Sequence, residues 1–138
     1  MIFQMSNFEK DTRKRLRKSE RLSSIKQIQA LFTDGKSFNN PPFTIRYLEL
    51  AQAGHSNHQI LVSVPKRIFK RAVDRNRLKR QIREAYRLNK HLLVDISKKY
   101  AIAYIYTFKK MIEYKDLENK LIESLSRLQA ELSKGNEG

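Results

Sequence analysis

A chain of 138 residues is long enough for one domain with a real core and too short for two. Its 29 Lys and Arg against 14 Asp and Glu leave a net charge of +15, a self-repulsion that opposes folding unless a polyanion binds, so nucleic acid is the leading partner. The absence of Cys excludes disulfides, thiolate metal sites and cysteine nucleophiles, and no run approaches the roughly 18 apolar residues of a membrane span. Met1 to Glu9 lack a basic stretch followed by a long apolar one, so the sequence predicts a cytoplasmic protein, neither exported nor inserted.

Residues 1–20 turn steeply basic at Arg13-Lys14-Arg15-Leu16-Arg17-Lys18 with no apolar period, which predicts a disordered tail. A single domain is expected over 21–133 and a short tail over 134–138. Ser24 and Gln27 have the spacing of a capping box, and Ile25, Ile28, Leu31 and Phe32 repeat on one helical face until Gly35, which is expected to close the helix in a left-handed conformation. After Pro41-Pro42, the segment Phe43-Thr44-Ile45-Arg46-Tyr47-Leu48 reads as a strand, and Ile60-Leu61-Val62-Ser63-Val64 as a second, stopped by Pro65. The polar, turn-rich residues 52–58 between them suit a hairpin loop joining two antiparallel strands. A basic helix follows, from about Val73 to the low nineties. Residues 101–108 are apolar on both parities, as expected of a central strand covered on both faces. Leu117, Leu121, Leu125, Leu128 and Leu132 give a last amphipathic helix, with Asp116 as its expected N-cap. A helix between strands of one sheet is the mark of a crossover unit in an α+β or α/β domain.

The basic helix carries the chemistry. At about 100° per residue, Leu78, Ile82, Ala85 and Leu92 gather on one arc, and Lys79, Arg80, Arg83, Arg87 and Lys90 gather opposite with Asn76 among them. Opposite signs normally mix on a solvated face, whereas here only Glu84 interrupts. Guanidinium groups present a fixed fork of donors to phosphate oxygens, so this face is read as a nucleic-acid contact. A membrane-lying helix would bury Trp, Phe and Leu instead. Asn76 serves either the first turn of the helix or a nucleotide directly. His55, His58 and His91 are scattered, and Asp95, Asp116 and Glu118 form no paired-carboxylate site, so neither a protein-held metal nor a protein-borne catalytic site is expected.

The segments Ser63-Val64-Pro65-Lys66-Arg67, Ala72-Val73-Asp74-Arg75-Asn76-Arg77-Leu78-Lys79-Arg80 and Ile82-Arg83-Glu84-Ala85-Tyr86-Arg87 closely resemble the signature of the bacterial ribonuclease P protein component. That signature runs V-x-K-[KR], A-V-x-R-N-R-x-K-R and R-E-x-[FY]-R, and the likeness extends over roughly residues 20 to 130. The resemblance implies an α+β fold, a two-layer α-β sandwich of the ribosomal protein S5 domain 2-like type. Its order is α-β-β-(β)-α-β-α, with a left-handed crossover against the usual preference. It implies the small subunit of a ribonucleoprotein endonuclease that removes the 5′ leader from precursor tRNA. The partners are then the catalytic RNA and the precursor tRNA, with no membrane or protein partner, and the chemistry uses Mg2+ held mainly by the RNA.

Carried over by position, the resemblance assigns Lys66, Arg67, Arg75, Asn76, Arg77, Lys79, Arg80, Arg83 and Arg87 to the catalytic RNA. It assigns the leader to Ile28, Phe32, Arg46, Tyr47 and Lys66, where the family's helix aromatics fall on Ile28 and Phe32 and its sheet aromatic on Arg46, beside Tyr47. Phe32 at helical spacing is otherwise a core residue. This chain lacks a family glycine after the basic strand end, carries one extra residue in Ile68-Phe69-Lys70-Arg71, and has Tyr106 in place of a late-strand Arg, which predicts a differently shaped loop before the helix. Two other readings compete: a structural RNA-binding protein such as a ribosomal protein, and a DNA reader using the helix in a major groove.

Overall fold

A computed structural model describes residues 20–50, 57–93 and 98–137. The expected N-terminal tail up to Ser19, His55 and Asp95 lie outside the described residues. The first helix, α1 (Ile25–Asp34), begins as its capping box requires, with the Gln27 N–H donating to Ser24 Oγ at 3.2 Å. Its end differs from the expectation. Gly35 is extended, at φ −72° and ψ 155°, because the chain passes straight into a strand. Glycine is needed there for space: a Cβ would stand 2.3 Å from the Leu31 carbonyl oxygen and 3.0 Å from that of Tyr47.

That strand, β1 (Lys36–Asn40), has too little apolar character to announce itself, since only Phe38 is buried. It turns through a cis Pro41-Pro42 bond into β2 (Phe43–Glu49), pairing Lys36 with Tyr47 and Asn40 with Phe43. The hairpin is therefore β1–β2. The expected hairpin between β2 and β3 (Gln59–Ser63) does not form, because β4 (Tyr100–Tyr106) lies between them, antiparallel to β2 and parallel to β3, in the order β1-β2-β4-β3. Every residue of β4 but Ile105 is buried, and only an interior position supplies cover on both faces. β4 stops two residues before Phe108, where Thr107 bonds back to the Pro42 carbonyl through both its N–H (2.8 Å) and its hydroxyl (3.0 Å).

The long helix α2 (Ala72–Asn89) and a 3-10 turn (Lys90–Leu93) carry the chain from β3 to β4. The last helix, α3 (Tyr114–Glu137), starts before Asp116, which sits inside the first turn rather than capping it, and runs beyond residue 133. Glu20, placed in the tail by the sequence reading, is buried and pairs with Lys90. The α+β architecture is the expected one, with a parallel β3–α2–β4 crossover.

The alternation of β4 divides the molecule. Tyr100, Ile102, Tyr104 and Tyr106 share one face with Phe43, Ile45 and Tyr47, and there they meet Leu78, Ile82, Ala85 and Tyr86 of α2 and the leucine stripe of α3. Within that core the Tyr104 hydroxyl lies 2.9 Å from Ser124 Oγ, so neither buried group is orphaned. Small residues, Ala101 and Ala103, mark the opposite face, where Leu22, Leu31 and Leu50 complete a second cluster under α1. α1 covers only part of that face.

Candidate nucleic-acid interface

The apolar arc of α2 enters the core: Leu78, Ile82 and Ala85 are fully buried, with Tyr86 beside them and Leu92 packed at the margin. The opposite arc divides in two. Asn76, Arg77, Arg80 and Arg83 are exposed and Lys79 half-buried, while Lys66 and Arg67 are exposed in the turn after β3. None of these cations has an ion-pair partner among the described residues. Partial burial, and then the nearby Arg21, hold the Arg83 guanidinium below the usual arginine range. Arg21, bridged to Ile60 along the outer edge of β3, thus joins the same positive field, and helical periodicity could not have found it.

Other arginines of the signature are used by the fold. Arg75 Nη1 donates to the carbonyls of Phe69 and Lys70, each at 2.8 Å, and so closes the loop before α2 onto the helix. Arg87 has a side chain only 10% exposed and pairs with Glu84. The N-cap position belongs to Arg71, so Asn76 lies beyond the first turn and does not cap the helix.

The partly open sheet face holds Phe32, which is 42% exposed. Arg46 stands against it, with its guanidinium carbon 5.6 Å from the ring centroid. The same guanidinium donates to the carbonyls of Leu31 (3.3 Å), Phe32 (3.0 Å) and Gly35 (3.2 Å), closing the C-terminal end of α1. Ile28 is half-buried against the Leu22–Leu31 cluster. Tyr47 does not join this group. Neighbouring residues of a strand face opposite ways, and Tyr47 points into the other layer, where its hydroxyl donates to Glu131 Oε1 at 3.3 Å and its ring lies 6.4 Å from that of Tyr100. Burial, then Glu131, raises its pKa.

The family model of ribonuclease P matches residues 16–129. The chain belongs to the ribonuclease P protein family. It is 40% identical over 117 residues to the ribonuclease P protein component of Porphyromonas gingivalis, covering 82% of this chain and 85% of that one. It is 32% identical over 111 residues to that of Clostridium botulinum, covering 80% and 95%. The solved RNase P protein of Thermotoga maritima superposes with a TM-score of 0.65 at 26% identity, over 78% of this chain and 96% of that one. Membership makes the chain a ribonuclease P protein component, a part of an endoribonuclease of tRNA 5′ processing.

Within the ribonuclease P signature, then, Arg75 and Arg87 brace the helix while Arg77, Arg80 and Arg83 face outward. His58 is buried with Nδ1 accepting the Tyr100 N–H at 3.0 Å, and burial, then Lys99, lowers its pKa to about 4. Among the described residues no group of three or more His, Asp or Glu side chains could hold a metal ion, and no helix is long and apolar enough to cross a membrane.

Proposed function

We propose that this chain is the RNA-binding subunit of a ribonucleoprotein endonuclease that removes the 5′ leader of precursor tRNA, the cleavage being performed by the catalytic RNA. The exposed arc of α2, with Lys66 and Arg67, docks on that RNA. The partly open sheet face beside Phe32 takes the single-stranded leader, where an unstacked base finds an aromatic and a guanidinium together. The observation that carries this reading is the one-sidedness of α2: Arg77, Arg80 and Arg83 project without an acidic partner from a helix whose other side is locked in the core. Such an arc gains free energy only against a polyanion. On this reading, which follows the family resemblance, Mg2+ is the cofactor of the assembled enzyme and is held mainly by the RNA.

Reconstitution with a bacterial catalytic RNA and a precursor tRNA at low Mg2+ tests the proposal. The chain should stimulate leader removal. RNA binding without stimulation would make it a structural RNA-binding protein instead.

A further inference from the structure

The C-terminal ends of β3 and β4 carry an aromatic cluster that neither the basic arc nor the face beside Phe32 uses. The fully buried Tyr106 has its ring 6.0 Å from that of Phe69 and 6.3 Å from that of Phe108. Phe69 is half-buried in the loop before α2, whereas Phe108 keeps 40% of its surface exposed. Large aromatics left in water forfeit burial free energy, so the position of this ring calls for a reason.

The backbone around it is braced. Thr107 makes its two bonds to the Pro42 carbonyl, the Tyr106 hydroxyl donates to the Lys110 carbonyl at 2.7 Å, and Arg75 ties down Phe69 and Lys70 at 2.8 Å each. A ring on such a support loses little conformational entropy on contact. The chain neighbours of the cluster are cationic: Lys70 and Arg71 next to Phe69, Lys109 and Lys110 next to Phe108, all exposed. The nearby acids are few. Asp74 lies 3.9 Å from Arg71, and Glu113 is exposed. An exposed aromatic among lysines fits neither a second copy of this basic chain nor an apolar partner, but it matches a base flanked by phosphates in both shape and charge.

We propose that Phe108 is a stacking platform for an unpaired nucleotide of RNA, with Lys109 and Lys110 on the phosphates beside it. The site rests on the functional reading above for its ligand class. Its nucleotide comes either from the catalytic RNA or from the leader.

The chain has no Trp, so Phe108→Trp installs a single reporter. As the holoenzyme is reconstituted stepwise, its fluorescence is quenched on adding catalytic RNA to the protein if that RNA supplies the base, and only on the later addition of precursor tRNA if the leader does. Phe108→Ala weakens binding of the same RNA by about five-fold or more, and Phe108→Trp keeps it. Absence of quenching in both arms, or an unchanged affinity in Phe108→Ala, overturns the platform. Leader removal stimulated by the wild-type chain alongside a silent reporter would sink this site alone. Failure of the wild-type chain to stimulate would instead sink the functional reading.

Discussion

The exposed arc of α2 and the sheet face beside Phe32 both present arginine, yet the two regions spend it differently. On α2, Arg77, Arg80 and Arg83 reach outward with no internal partner among the described residues. On the sheet face, Arg46 is committed to three carbonyls at the end of α1 and to the Phe32 ring. Charge without a partner raises the energy of the folded protein and lowers that of a complex, whereas committed charge holds the fold together and shapes a surface. Residue type alone does not separate the two uses; the hydrogen bonds do.

The largest expected effect breaks this comparison most directly. Replacing Arg77, Arg80 and Arg83 together by Ala should weaken binding to the catalytic RNA on the order of 100-fold, from about 1 kcal/mol or more per lost charged contact. The salt dependence of binding should flatten by up to roughly one for each contact removed. Thermal stability should hold or rise, since repulsion falls and Ala favours a helix. A melting temperature that drops with the affinity would mean that these side chains support the fold and would erase the distinction.

Arg46 should behave in the opposite way. Arg46→Ala leaves the carbonyls of Leu31, Phe32 and Gly35 without their donor and should lower stability by about 2 kcal/mol in urea unfolding. Arg46→Lys should rescue little, because a single ammonium lacks the fork that reaches three acceptors. An unfolding midpoint equal to that of the wild type would show that the end of α1 needs no such closure.

How far the sequence discloses each region follows from the physics of its signals. The apolar arc of α2 and the leucines of α3 were legible because a helix repeats its buried positions at a fixed interval over many residues. β1 was not legible, since Lys-Ser-Phe-Asn-Asn has a single buried side chain and is a strand only because β2 offers it hydrogen bonds. The pairing of β2 with β4 was lost for a related reason: Gln52 to His58 look like a hairpin turn, but strand order depends on which strand needs cover on both faces. Of the candidate site residues, the family signature selected the helix arginines as a group. It could not tell Arg75 and Arg87, which bond inward, from Arg80, which projects, because that depends on where Phe69 and Glu84 come to lie. Tyr47 was offered beside Arg46 by adjacency in sequence, although adjacency in a strand puts the two on opposite faces.

A smaller effect sharpens the contrast at Phe32. Phe32 is 42% exposed, so more than half of it is covered and Phe32→Ala should lower stability by about 1 to 2 kcal/mol. Stacking on an aromatic is worth about 1 to 3 kcal/mol per base, so affinity for precursor tRNA should fall by about five-fold or more. Mature tRNA, which has no leader, should bind as before. Equal losses for both substrates would return Phe32 to packing alone.

Asn76 gives the smallest effect. The sequence left it either fixing the first turn of the helix or touching a nucleotide, and with Arg71 at the N-cap and Asn76 exposed beyond the first turn, no capping role remains. Ala is the better helix former, so Asn76→Ala should raise stability by a few tenths of a kcal/mol. If the amide meets the catalytic RNA, the same substitution weakens RNA binding by a few-fold, about 1 kcal/mol for one lost hydrogen bond. Opposite signs in the two measurements would place Asn76 with Arg77 and Arg80 as a residue kept for the partner at a cost to the fold. A loss of stability would instead place it with Arg46, among the groups that the fold itself consumes.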